Sequence, residues 1–223
     1  GITSFIVTKE TTDREEAERV GVGHEPSLAP FSPGVRAGKK EDKMGWRASD
    51  TRELILEDVD VPVERRLGEE GEGFINFMKT LDAGRIGLAA LSLGIAQGAL
   101  EQTLEFTGTH ERAGRPARES QGVQFTLADM ATEIAAARHL VYHAAWLKER
   151  GRPFGHAAAM AKLYASELAM RVTTRAVQLL GADGYTSSYP VERMMRDAKI
   201  CEIGEGTSEV QRMVIARHLG QPA

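Results

Sequence analysis

Three long segments of strong helix formers fill most of the sequence between residues 74 and 180, and they constrain the fold more than any other feature. Ala, Leu, Met and Glu are abundant in these segments, which Gly or Pro clusters separate and which run from about 74 to 107, 122 to 150 and 156 to 180. In the second segment apolar residues recur at helical spacing: Val123, Leu127, Met130, Ile134, Val141 and Ala144. Shorter helices are predicted over 191–198 and 209–219. The pattern predicts a mainly α chain whose long helices pack as an up-and-down bundle.

The first 66 residues have a different character, with two strand-like runs. Residues 2–7 are apolar or β-branched except for Ser4, and apolar and β-branched residues recur over 53–61. Between the two runs, about residues 9–34 carry charges, glycines and prolines without an apolar rhythm, which is typical of an exposed, inserted loop. We therefore predict the end of a β domain over 1–66 and a helical-bundle domain over 67–223.

Charge and composition argue against several classes of function. The formal net charge of −4 and the pI near 5.9 provide no basic surface of the kind that binds nucleic acid or an anionic membrane. No uninterrupted apolar run approaches the roughly 18 residues of a membrane-spanning helix, so we expect no membrane insertion. The single cysteine, Cys201, excludes an internal disulfide and fits a reducing compartment. His139 and His143 lack the glutamate that lies between the histidines of a zinc-protease helix, and no metal site is predicted.

A glutamate between two glycines stands directly before the last predicted helix, in the sequence Ile203-Gly204-Glu205-Gly206-Thr207-Ser208. Glycine neighbours let a ligand approach the backbone, and N–H groups at the start of a helix can donate to an anion or a carbonyl. Ser208 and Gln211 have the spacing of a capping box. Enclosed by an apolar substrate, the carboxylate would suit a general base. A glutamate in such a turn is more often a solvated surface residue, so the residues alone leave both interpretations open.

Four segments of the chain resemble the acyl-CoA dehydrogenase family and occur in the family's order: Lys39–Thr51, Leu81–Gly87, Tyr189–Ile200 and Glu205–Arg212. The resemblance implies the C-terminal portion of a three-part subunit, namely the end of a middle β domain of barrel or sandwich type followed by the C-terminal helical bundle. It also implies FAD as the cofactor. The implied assembly is a homotetramer, built as a dimer of dimers, or a complex with a chain that supplies the N-terminal half. The implied location is the cytoplasm or, in a eukaryote, the mitochondrial matrix.

Within this resemblance, Glu205 corresponds to the base that removes the α-proton of an acyl-CoA while the β-hydrogen leaves as hydride to the flavin, giving a trans-2-enoyl-CoA. Asp82 and Arg85 match positions that contact the CoA portion, and Gly206 matches the position beside the thioester. Electrons would pass to an electron-transfer flavoprotein. Some family members carry the base just before this arginine, where the chain has Gly84. The sequence is therefore similar to the short- and medium-chain branch, and especially to butyryl-CoA dehydrogenases.

The same resemblance implies two sets of flavin contacts. One set directly follows the base: Thr207, Ser208 and Glu209. The other corresponds to positions that meet the pyrophosphate and the adenine dinucleotide: Arg112, Gln121, Gln178, Gly181 and Ala182. Two departures from the family pattern fall in the second set. Ala182 replaces a glycine, and Arg112-Ala113-Gly114 is shorter than the family's R-x-x-F-G and lacks its aromatic residue.

Two other functions remain open from the sequence. The first is a relative with the same fold and different chemistry, such as an acyl-CoA oxidase or a nitroalkane-oxidising member. The glutamate at 205 argues against the nitroalkane type, which resembles a variant with Asp at this position. The second is a non-catalytic helical scaffold or partner subunit, which would bind no flavin.

Overall fold

The computed structural model describes residues 1–7 and 33–220, and backbone contacts divide the chain into two units. The first unit comprises Gly1–Lys43 and Arg47–Met78, and the second comprises Met44–Trp46 and Lys79–Ala223. Most of the predicted insertion over 9–34 lies outside the described residues. The predicted domain boundary at 66/67 stays a prediction.

Within its described residues, the first unit contains four strands in two antiparallel pairs. Strand β1 (Ser4–Phe5) pairs with β4 (Arg66–Leu67), and β2 (Val35–Lys40) pairs with β3 (Arg52–Leu56). Both sequence-predicted strands were too long. The chain leaves β3 at Leu56 because Asp58 adopts a left-handed conformation with φ of +50°, which extended pairing does not tolerate.

Six α-helices follow, and they confirm the mainly helical prediction. They are α1 (Gly73–Thr109), α2 (Gln121–Glu149), α3 (Gly155–Leu180), α4 (Ala182–Tyr185), α5 (Val191–Lys199) and α6 (Ser208–Leu219). Each of the five predicted helices is present, with its ends within two residues of the predicted ones. The short helix α4 was not predicted. Every apolar position predicted for the buried face of α2 is buried.

Helix α3 is the central element of the second unit, since it contacts α2, α4, α5 and α6. Its buried residues lie around most of its circumference, as expected of a helix packed on several sides. Many of them are alanines: Ala157, Ala158, Ala159, Ala161, Ala165, Ala169 and Ala176. Small side chains let neighbouring helix backbones approach closely. The core therefore combines this alanine-rich helix with larger side chains from α1 and α2, such as Leu100 and Met130.

Helix α1 is long and apolar enough to cross a membrane by length and composition. Half of its most apolar stretch of 18 residues is buried inside the protein. Its buried residues, among them Ala89, Leu93 and Ala96, belong to the same core as α2 and α3. This burial is what a core helix shows, because a helix facing lipid would leave its apolar side chains on the outside.

A short piece of the N-terminal half of the chain packs within the second unit. The Arg196 guanidinium donates to the Met44 carbonyl at 2.8 Å, and the Trp46 N–H donates to the Asp197 carboxylate at 2.6 Å. Gly45 lies so close to α5 that an added Cβ would stand 2.4 Å from the Arg196 carbonyl oxygen. The segment Met44–Trp46 is thereby fixed on α5 by backbone contacts that require a glycine.

We expect Ile134→Ala to lower the free energy of unfolding by about 2 to 5 kcal/mol, because it leaves a cavity in the core. The Ile134 side chain is 1% exposed and lies in the cluster that joins α2 to α3. Urea denaturation of the purified protein measures the change. Thr132→Ala on the exposed side of the same helix is the control, with an expected change within about 0.5 kcal/mol. Equal effects of the two substitutions would contradict this description of the core.

Candidate active site

Glu205 lies in a tight turn between a 3-10 turn at Ile200–Glu202 and helix α6. The N–H groups of Ile203 and Gly204 both donate to the Ile200 carbonyl, at 3.0 and 2.8 Å. The next two residues have left-handed backbones, with φ of +55° at Glu205 and +91° at Gly206. This conformation suits glycine, whereas it costs a glutamate about 1 kcal/mol or more. The turn therefore holds Glu205 in a strained geometry.

The Glu205 carboxylate lies directly against Gly84 of helix α1. A Cβ added at Gly84 would stand 2.5 Å from one carboxylate oxygen of Glu205 and 2.9 Å from the other. Gly87, one turn further along α1, has nothing within 4 Å of the corresponding position. The missing side chain at 84 is therefore what makes room for the carboxylate. The carboxylate forms no ion pair or hydrogen bond with any described residue.

Asp82 and Arg85, the predicted CoA contacts, flank Gly84 on the same helix. The Arg85 guanidinium donates to the Asp82 carboxylate at 2.5 Å, and the Arg85 side chain is only 6% exposed. The Arg85 Nε is buried and has no hydrogen-bond partner among the described residues. This pair is therefore not a solvated surface ion pair. The structure brings Asp82, Arg85, Glu205 and Gly206 together at one place on α1.

Two fully buried side chains hold the turn from the inside, and the sequence did not single out either of them for this task. The Gln211 side-chain amide donates to the carbonyls of Glu205 and Gly206, at 3.0 and 2.9 Å. The Lys162 ammonium of α3 donates to the carbonyls of Gly206 and Glu202, at 2.7 and 3.2 Å. Both side chains have zero exposure. A lysine in an alanine-rich helix is the one sequence signal that could have indicated this contact.

Helix α6 begins differently from the prediction. Thr207, not Ser208, is the N-cap, and its hydroxyl accepts the Val210 N–H. Thr207 has the extended backbone of a capping residue. The helix therefore begins at Ser208, one residue earlier than the predicted start at 209. Gln211 does not reach back to an N–H, as a capping box requires; it binds carbonyls in the turn. The predicted capping box of Ser208 and Gln211 was therefore wrong.

The turn offers several donors that the described residues leave unused. The backbone N–H groups of Glu205, Gly206 and Thr207 make no hydrogen bond among the described residues. The Ser208 hydroxyl is buried and also lacks a partner there. These groups fit a carbonyl or a flavin edge placed next to the turn. The Glu209 carboxylate is already engaged, since hydrogen bonds from the Thr207 hydroxyl and from its own N–H lower the pKa of Glu209.

The predicted adenine and pyrophosphate contacts form a second cluster. Arg112 lies in a hairpin made by β5 (Glu111–Arg112) and β6 (Arg115–Pro116), and its guanidinium donates to the Leu179 carbonyl at 3.0 Å. Leu179 lies between Gln178 and Gly181, so the Arg112 side chain reaches the end of α3. Gln121 lines the same surface pocket as Arg112 and Arg115.

The shortened segment after Arg112 has a simple local explanation. Ala113 and Gly114 have φ of +53° and +77°, which is the pattern of a two-residue hairpin turn of type I′. At the other departure from the family pattern, Ala182 is exposed. Its methyl group therefore needs no space in the core of this chain.

The two clusters lie at opposite ends of α3. The Glu205 turn contacts α3 at Lys162, whereas the Arg112 hairpin contacts it at Leu179. Between Lys162 and Gln178 the helix advances 16 residues, or about 24 Å. The structure therefore does not bring Thr207, Ser208 and Glu209 together with Arg112, Gln121, Gln178, Gly181 and Ala182.

Cys201 lies in the 3-10 turn just before Glu205 and was not predicted to take part in the chemistry. Cys201 is fully buried, as expected of a small apolar residue, and burial raises the pKa of its thiol. Within the described part of the chain, no group of three or more His, Cys, Asp or Glu side chains is placed to hold a metal ion.

We expect Glu205→Gly to be more stable than Glu205→Ala by about 1 kcal/mol, because only glycine adopts a positive φ without strain. Urea denaturation of both variants measures the difference. The same pair of substitutions at Glu209, which lies in the first turn of α6, should show the reverse order, since glycine weakens a helix. An alanine variant at 205 as stable as the glycine variant would contradict the strained conformation.

Comparison with known proteins places the chain in a family. The family model for the acyl-CoA dehydrogenase C-terminal domain matches residues 71–220. A short-chain-specific acyl-CoA dehydrogenase of Clostridium acetobutylicum is 55% identical over 183 residues, covering 82% of this chain and 48% of that protein. Butyryl-CoA dehydrogenase from Megasphaera elsdenii superposes with a TM-score of 0.85 at 53% identity, covering 87% of this chain and 51% of that one.

A chain in a solved structure described as the electron transferring flavoprotein of Acidaminococcus fermentans gives a TM-score of 0.86 at 55% identity, over 87% of this chain and 51% of that one. The chain thus spans about half the length of the relatives it matches. The matched segment includes all six helices and the Glu205 turn. On this evidence the chain belongs to the acyl-CoA dehydrogenase family and contains its C-terminal domain.

Proposed function

We propose that this chain carries the catalytic base of an FAD-dependent dehydrogenase that oxidises a short acyl-CoA to the trans-2-enoyl-CoA. The observation that carries the proposal is the Glu205 carboxylate, which lies over Gly84 with no cationic partner among the described residues. A carboxylate held in this way is available to accept a proton. Membership of the acyl-CoA dehydrogenase family supports dehydrogenation of an acyl-CoA as the reaction. The similarity to short-chain enzymes supports a short acyl-CoA as the substrate.

The proton transfer follows from the turn. Glu205 removes the α-proton of the thioester, and the C–H electron pair forms the new double bond as the β-hydrogen leaves with its electrons. A thioester α-proton is only weakly acidic, so the carbonyl oxygen must be stabilised as charge builds up on it. The N–H of Glu205, which has no acceptor among the described residues, is the donor we assign to that oxygen. FAD, when bound, supplies the hydride acceptor.

Substrate binding is assigned to the residues beside the base. Gly206 leaves the backbone open next to the thioester. Asp82 lies two residues before Gly84 and Arg85 lies one residue after it, and we assign both to binding of the CoA portion. The buried Arg85 guanidinium is oriented by Asp82, so this pair orders one side of the site before the ligand arrives.

We assign the two predicted sets of flavin contacts to the flavins of different active sites in a homo-oligomer, with a tetramer as the family's implied state. Along α3, about 24 Å separate Lys162, which holds the turn before Thr207, Ser208 and Glu209, from the end that the Arg112 hairpin contacts. We assign an electron-transfer flavoprotein as the electron acceptor, on the strength of the resemblance.

The first test is an anaerobic absorbance spectrum of the FAD-loaded protein before and after addition of butyryl-CoA. Loss of the flavin band near roughly 450 nm is the expected result. Glu205→Gln preserves the shape of the side chain and removes the base, so it should slow the bleaching by about 1,000-fold or more while butyryl-CoA still binds.

Glu101→Gln on the surface of α1 is the control for the loss of one carboxylate, and it should bleach at the wild-type rate. Bleaching of Glu205→Gln at that rate would show that another residue is the base. Protein that binds no FAD would favour the scaffold function.

Gly84→Ala tests the contact between α1 and the base. The added methyl group must displace the Glu205 carboxylate, and a shift on the order of 1 Å costs about 100-fold in rate. Gly87→Ala adds the same methyl group to the same helix in open space, so it should leave the rate of bleaching unchanged. Stopped-flow absorbance of both variants provides the comparison, and equal rates would contradict the assignment.

A further inference from the structure

We infer that Lys162 is a positioning residue for the base: its buried ammonium fixes the Glu202 and Gly206 carbonyls on either side of Glu205 and thereby aims the carboxylate. This inference rests on the proposed function, because it gives Lys162 a part in the same proton transfer. Lys162 itself lies beneath the turn and is assigned no contact with substrate or flavin.

The contacts of Lys162 bracket Glu205 on both sides. Its Nζ donates to the carbonyl of Glu202, three residues before the base, and to the carbonyl of Gly206, one residue after it. The second contact is the shorter, at 2.7 Å. A single side chain from α3 therefore fixes the entry to the turn and its exit.

The direction of these carbonyls determines where the N–H groups point. In a trans peptide the carbonyl of one residue and the N–H of the next point in opposite directions. Lys162 and Gln211 bind the Gly206 carbonyl from the interior, and Gln211 also binds that of Glu205. The N–H groups of Gly206 and Thr207 consequently face away from these two side chains. Gln211 thus holds the peptide that follows the Glu205 Cα, and Lys162 holds the peptides 202–203 and 206–207 on either side of it. The direction of the Glu205 side chain is set by these fixed peptides.

Burying a lysine ammonium at this position costs free energy that an apolar side chain would not cost. Lys162 has zero exposure and forms no ion pair with any described residue. Burial lowers the pKa of Lys162, with partial compensation from nearby Cys201 and Glu202. A methionine would fill a similar volume without this cost. A methionine cannot donate hydrogen bonds, whereas Lys162 donates to the carbonyls of Glu202 and Gly206. These two carbonyls flank Glu205, the strained residue that is the proposed base.

The alternative is that Lys162 only stabilises the fold. Both roles predict a less stable Lys162→Met protein, so stability cannot separate them. A positioning role predicts in addition that the rate of proton removal falls while substrate affinity stays the same. It also predicts that Lys162→Arg, which retains the charge and the donors, recovers part of the rate.

The experiment compares Lys162→Met, Lys162→Arg and Val172→Ala in the FAD-loaded protein. Val172 is fully buried on the same helix, ten residues or about 15 Å beyond Lys162, so its variant controls for a weakened α3. Hydrogen–deuterium exchange of the peptide covering 200–211 measures the order of the turn without any substrate. Stopped-flow bleaching at a series of butyryl-CoA concentrations gives the rate at saturation and the apparent dissociation constant.

We expect Lys162→Met to accelerate exchange in the 200–211 peptide and to lower the saturated rate by about 10- to 100-fold, with the dissociation constant within about threefold of wild type. Lys162→Arg should be faster than Lys162→Met. Val172→Ala should lower the thermal unfolding midpoint and leave both the exchange of this peptide and the saturated rate unchanged.

Wild-type exchange and rate in Lys162→Met would overturn the inference, as would an equal loss of rate in Val172→Ala. Failure of the proposed function has a different signature. If Glu205→Gln bleaches normally, Glu205 is not the base. If Glu205→Gln is inactive and Lys162→Met is fully active, only the role of Lys162 is rejected.

Discussion

The approach of the Glu205 carboxylate to Gly84 is the contact on which the rest of the candidate site depends. The carboxylate can approach α1 this closely only where the helix lacks a side chain, and α1 provides such a position between Asp82 and Arg85. The helix thus determines where the carboxylate lies and carries the residues assigned to the CoA portion. The missing side chain at Gly84 therefore links the position of the base to the position of the CoA contacts, because both lie at the same turn of α1.

Strain in the Glu205 turn is balanced by polar groups that are themselves costly to bury. The left-handed glutamate, the buried Lys162 and the buried Gln211 would each destabilise a protein in isolation. The carbonyls of the turn accept hydrogen bonds from the Lys162 ammonium and from the NH2 group of Gln211, which pairs these buried donors. Such a combination is typical of a site that holds a reactive group in a fixed direction. The alanine-rich surface of α3 provides the rigid base for it.

The sequence predicted the helices well because their signals are local. Apolar spacing and the Gly or Pro clusters placed the helix ends within two residues, whereas the strand after residue 53 was predicted too long because nothing local marks the left-handed Asp58. The resemblance identified Glu205 and the position of Gly84, but not their contact. Lys162 and the 202–206 turn are about 40 residues apart in sequence, and no local pattern shows that they meet. Side chains that support a site across the core are therefore found only in the structure.

Helix α3 supports the base at one end and the Arg112 hairpin at the other, and this separation has a genetic consequence. In a two-fold pair of copies that exchange flavin contacts, each active site combines the turn of one copy with the hairpin of the other. A copy with a defective turn, mixed with a copy with a defective hairpin, would form one site with both defects and one site with neither. Two inactive alleles would then complement each other within the same oligomer.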